Sequence, residues 1–69
     1  QLHLSLNIAF YRKRMGLTQL QLAERVGISR THMSNIEALG VEKGMSVETL
    51  LAIADALNVE PGKLFEIRD

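Results

Sequence analysis

The sequence has no cysteine, no tryptophan, a single proline and only three aromatic residues, two phenylalanines and one tyrosine. Without cysteine there are no disulfides and no thiolate metal site, and nothing hints at an oxidising compartment. No apolar run approaches the roughly 20 residues that span a bilayer, and no signal-peptide pattern is present. A soluble cytoplasmic protein is the expectation. Strand alternation, internal repeats and low-complexity runs are also missing. His3 and His32 stand apart from any acidic cluster, so no metal site is recognisable. There is no nucleophile–base pairing, no phosphate-cradling glycine loop and no carboxylate pair at useful spacing. Catalysis is not expected, and no cofactor is implied.

What is present is helical periodicity within 69 residues, enough for one domain spanning 1–69. A chain this short buries only roughly 60% of its unfolded surface, so it gains from dimerisation or from a longer parent chain. Gln1 is not an initiator methionine, and a trimmed fragment is expected. Net charge is zero, but its distribution is uneven. Residues 1–36 carry Arg12, Lys13, Arg14, Arg25 and Arg30 against Glu24, which leaves +4; residues 37–69 carry three basic residues against seven acidic ones, which leaves −4. Such a dipole can turn the basic half toward phosphates without a high isoelectric point.

The chain is organised around residues 18–37, TQLQLAERVGISRTHMSNIE. Thr18 and Gln21 form a capping-box pattern at the start of a helix on which Leu22, Ala23 and Val26 share one face. Gly27 is a stop signal that can adopt the left-handed conformation, and Ile28 points back to the core. Ser29 caps a second helix whose apolar positions are Met33 and Ile36. Helix, three-residue turn and helix give the spacing of a helix-turn-helix. Ala23 is small enough for a steep, close crossing of the two helices.

Around this pair the pattern predicts three more helices. Residues 2–15 place Leu4, Ile8, Tyr11 and Met15 toward the core, with Gly16 as a stop. Leu2, Leu6 and Phe10 make a second apolar stripe, which is expected either to contact another subunit or the rest of a longer chain, or to fold over the domain's own last helix. Arg12 and Glu37 each lie one residue past a core position, and a pairing between them is predicted. Residues 38–45 form an irregular connector. Ser46 caps a fourth helix with a broad face of Val47, Leu50, Leu51, Ile53, Ala54 and Leu57, ended by Asn58 in a left-handed conformation. Pro61 opens a short fifth helix, residues 61–67, on which Leu64 and Phe65 close the core. Gly62 weakens it.

If the helix of residues 29–37 enters a major groove, its outward residues Arg30, Thr31, Ser34 and Asn35 meet base edges. Arginine can fork onto guanine, asparagine onto adenine, and a threonine methyl can touch that of thymine. Gln19, Ser29 and His32 are candidates for phosphate contact, as is Lys43 in the connector.

These motifs resemble the lambda Cro/C1-type helix-turn-helix domains, the XRE family of bacterial and phage transcriptional regulators. The resemblance runs from about Leu4 to Phe65 and rests on RKRMGLTQLQLAERVGISRTHMSNIE and SVETLLAIADALNVEPGKLF. It implies an all-α, compact five-helix lambda-repressor-like fold with the helix-turn-helix at helices 2 and 3, and operator binding as a homodimer. It also implies a phosphate-touching, bracing role for Gln19, base contact at Arg30, Thr31, Ser34 and Asn35, and an ion pair between Arg12 and Glu37. The connector departs from the family pattern: it is longer, lacks the usual proline and holds one lysine, Lys43. Leu6, Phe10 and Leu20 stand where the family usually has polar residues. The expected function is a sequence-specific DNA-binding regulator, a repressor in the first instance. The alternative is a protein-interaction module on the same scaffold, such as an antitoxin or an anti-regulator.

Overall fold

The computed structural model describes residues 2–39 and 45–67. Four helices follow in order: α1 (Leu2–Arg14), α2 (Gln19–Val26), α3 (Arg30–Leu39) and α4 (Val47–Ala56). A 3-10 turn, Pro61–Phe65, comes last. The fold is all-helical, with no strand among the described residues.

Local chemistry sets each boundary. Thr18 accepts from the Gln21 amide at 3.0 Å, and the Gln21 side chain accepts from the Thr18 amide at 2.8 Å. This reciprocal cap satisfies two donors that the first turn would otherwise leave open. Gly27 ends α2 at φ 89°, and its amide and that of Ile28 both bond the Ala23 carbonyl. Ser29 caps α3 by accepting from the His32 amide at 3.0 Å. Ser46 does the same for α4, accepting from Thr49 at 3.1 Å. Asn58 takes a left-handed φ of 58° after α4. Asparagine tolerates that region better than most residues.

The core gathers Leu4 and Ile8 from α1, Leu22 and Ala23 from α2, Met33 and Ile36 from α3, Ile53, Ala54 and Leu57 from α4 and its end, with Leu17 and Leu64 from the connections. Two polar side chains share it. Ser5 donates to the Ile36 carbonyl at 2.7 Å, in the last turn of α3. That carbonyl belongs to the group a helix end leaves without an internal partner. Asn7 donates from Nδ2 to the carbonyls of Leu64 at 2.8 Å and Glu66 at 2.6 Å, tying the end of the chain onto α1. Among the described residues no buried side-chain nitrogen or oxygen lacks a partner.

Four expectations about the core are corrected. Met15 is exposed, because α1 stops at Arg14 and Gly16 (φ 75°) turns the chain so that Leu17 enters the core instead. Val47 and Leu51 are exposed, since α4 turns Ile53, Ala54 and Leu57 inward and no described residue covers the outer flank of its apolar stripe. Phe65 is half exposed, because the last element closes after Phe65 as a tight 3-10 turn that aims Leu64 alone at the core. A glycine at the second position of that turn, Gly62, disfavours a longer helix. α3 also runs two residues further than the spacing predicts, to Leu39.

Candidate nucleic-acid interface

Helix α3 is held from two sides. On its inner face Met33 and Ile36 are fully buried. At its far end Glu37 is clasped by Arg12 of α1: Nε donates to Oε2 at 2.7 Å and Nη2 to Oε1 at 3.0 Å. This is the bidentate arrangement, which fixes direction as well as distance. The two side chains are 10% and 7% exposed. Arg12 also donates from Nη1 to the Leu17 carbonyl at 2.8 Å. Gln19, the first residue of α2, donates from Nε2 to the same Oε1 of Glu37 at 3.1 Å. One carboxylate thus joins α1, α2 and α3.

The outer face of α3 is left to solvent. Arg30, Thr31 and Asn35 are exposed, while His32 and Ser34 are half-buried. The three exposed residues lie on a helix whose position is over-determined, so their side chains project from a rigid base. The half-buried Ser34 is reached less easily than the spacing suggests. Ser29 is exposed but its oxygen already accepts the capping bond, and its hydroxyl proton remains available to donate. Gln19 is half-buried and its amide nitrogen is engaged with Glu37. Lys43 lies outside the described residues, as does the side chain of Leu2. Leu6 is 52% exposed and Phe10 37%, with the Phe10 ring meeting that of Tyr11 edge to face at 5.1 Å. Leu20 is exposed as well.

With Arg12 matched by Glu37, the field of the N-terminal half comes from exposed Lys13, Arg14, Arg25 and Arg30 against Glu24. Such an arrangement can attract a polyanion and present hydrogen-bonding groups to it. Among the described residues no cluster of histidine, aspartate or glutamate could hold a metal ion, and no helix is long and apolar enough to cross a membrane. Sequence reasoning missed Ser5 and Asn7, whereas the bond from Gln19 to Glu37 is the form taken by the bracing role that the resemblance implies for Gln19.

A helix-turn-helix family model matches residues 8–64. The chain is 41% identical over 59 residues to the HTH-type transcriptional regulator SlrR of Bacillus subtilis (strain 168), covering 86% of this chain and 38% of that protein. It therefore spans well under half of SlrR's length. It is 38% identical over 58 residues to the control protein C.SmaI of Serratia marcescens, covering 84% of this chain and 67% of that one. The crystal structure of the restriction-modification controller protein C.AhdI from Aeromonas hydrophila superposes with a TM-score of 0.84 at 28% identity, over 93% of this chain and 94% of that one. The family match covers most of the chain, and the chain belongs to the helix-turn-helix family of Cro/C1 type.

Proposed function

We propose that the chain is a sequence-specific DNA-binding transcriptional regulator, a repressor by simple occupancy, that acts in the cytoplasm without catalysis. The observation that carries this reading is the joint exposure of Arg30, Thr31 and Asn35 on a helix anchored through Glu37. α3 enters the major groove, where these residues and Ser34 read base edges. Gln19, Ser29 and His32 lie around the helix N-termini that receive phosphates, and Lys43 adds a further cation. The relatives named as regulator and control protein support this reading and do not favour the interaction-module alternative.

One α3 reads only a few base pairs. Two copies on a two-fold site, with half-sites about one helical turn apart, give the needed specificity. Selection of bound duplexes from a random pool tests the proposal. The expected outcome is an enriched, two-fold symmetric sequence. Retention without enrichment of any sequence would reduce the chain to a non-specific binder and overturn the reading.

A further inference from the structure

The end of α1 and the end of α4 meet at a groove that neither helix fills. Its volume is about 370 Å³, and it is lined by Tyr11, Arg14, Met15, Leu57, Asn58 and Val59. That volume falls in the lower part of the range for small-molecule sites. The way both helices stop leaves it open. α1 ends at Arg14 and Gly16 turns the chain, so Met15 stays exposed instead of packing inward. α4 ends at Ala56, and Asn58 makes its left-handed turn before Val59.

The lining divides into apolar walls and open polar groups. Leu57 is buried and Val59 half-buried, and with Met15 they supply the walls. Tyr11, Arg14 and Asn58 supply a phenol, a guanidinium and an amide. Among the described residues none of these three side chains is engaged in a hydrogen bond or an ion pair. The other face of α1 differs: Ser5, Asn7 and Arg12 are all bonded there. No carboxylate lines the groove, so Arg14 carries the sole formal charge of its lining. A helix C-terminus ordinarily disfavours an anion. Here the amides of Met15, Leu57 and Val59 already bond the carbonyls of Tyr11, Ile53 and Ala54, which blunts that repulsion.

We propose that this groove is a binding site for a small aromatic carboxylate. Arg14 receives the acid, because guanidinium and carboxylate match in a two-bond fork that is stronger than neutral hydrogen bonds. The Tyr11 hydroxyl and the Asn58 amide add neutral donors beside it. Tyr11 and Met15 favour a flat ring over an aliphatic chain, since aromatic rings pair offset or edge to face and a thioether sulfur contacts ring edges. Leu57 and Val59 take the ring out of water. No residue of α2 or α3 lines the groove, so a molecule held here leaves the outer face of α3 open, and its binding does not require the DNA reading.

Titration of the isotope-labelled chain with naphthoate, followed by backbone amide shifts, tests this. The shifts should saturate and centre on residues 11–15 and 57–59. The dissociation constant should be about 1 mM or lower. Naphthamide, which keeps the ring without the charge, and hexanoate, which keeps the charge without the ring, should each bind about tenfold more weakly. R14Q alters an exposed side chain, so its spectrum should otherwise match the parent while naphthoate binding weakens about tenfold. Y11F should weaken it less. R25Q removes an exposed cation from α2 and should leave binding unchanged. Shifts that do not saturate, shifts centred on other residues, equal binding of naphthamide, an R14Q titration like the parent's, or an equal loss in R25Q would each overturn the proposal.

Discussion

Glu37 receives three hydrogen bonds from two other helices, and it decides where α3 stands. Arg12 and Glu37 are both nearly buried, and each is stranded if the other is removed. Breaking a buried pair in this way costs about 3–5 kcal/mol, a large share of the roughly 5 kcal/mol expected for a small domain. Urea unfolding of R12M should show that loss, whereas R12M/E37L, which strands neither charge, should recover much of it. A loss below about 1 kcal/mol in R12M would mean that the pair is effectively solvated. Arg30 is the opposite case, an exposed charge with no ion-pair partner among the described residues. R30A should cost about 1–3 kcal/mol of operator binding and relax preference at one base position, measured on a panel of single-base variants. Equal loss on every duplex would assign Arg30 to phosphate. Arg12 and Glu37 were legible because each follows a core position by one residue. Ser5 and Asn7 were not, because their partners are backbone carbonyls far along the chain, which no local pattern reveals.

At the scale of the element, the turn between α2 and α3 sets the crossing of the two helices. Gly27 has φ 89°, and no atom lies within 4 Å of where a side-chain carbon would sit. Substitution there meets strain rather than a clash. A left-handed conformation costs a non-glycine residue about 1–2 kcal/mol, so G27A should lower stability by that amount in urea unfolding, and G27N by less. No difference between G27A and the parent would show that the turn relaxes to another conformation. The caps and stops were readable because each depends on a few adjacent residues: Thr18 with Gln21, Gly27, Ser29, Ser46 and Asn58. The width of a buried face was not. Val47, Leu51 and Phe65 carry the pattern of core residues, but whether a neighbour covers them depends on packing that periodicity cannot encode. Met15 failed for a related reason. It continues the stripe of α1 on paper, but the helix has already ended.

For the whole molecule, charge is segregated along the chain, +4 in residues 1–36 and −4 in residues 37–69. The basic half carries most of α3 and the exposed Lys13, Arg14, Arg25 and Arg30; the large apolar residues left exposed divide evenly between the halves, with the two most exposed, Val47 and Ile67, in the acidic one. Fold class was legible from helical periods and caps, whereas which apolar residues stay exposed became visible only once the helices were placed. The proposed function depends above all on α3 reading bases rather than resting on phosphates. Its most direct test compares the affinity of the chain for its selected duplex with that for a scrambled duplex of the same length and composition, at one fixed physiological salt concentration. Specific recognition predicts a ratio of about 10³ or more. A ratio near one, with both affinities falling together as salt is raised, would contradict it.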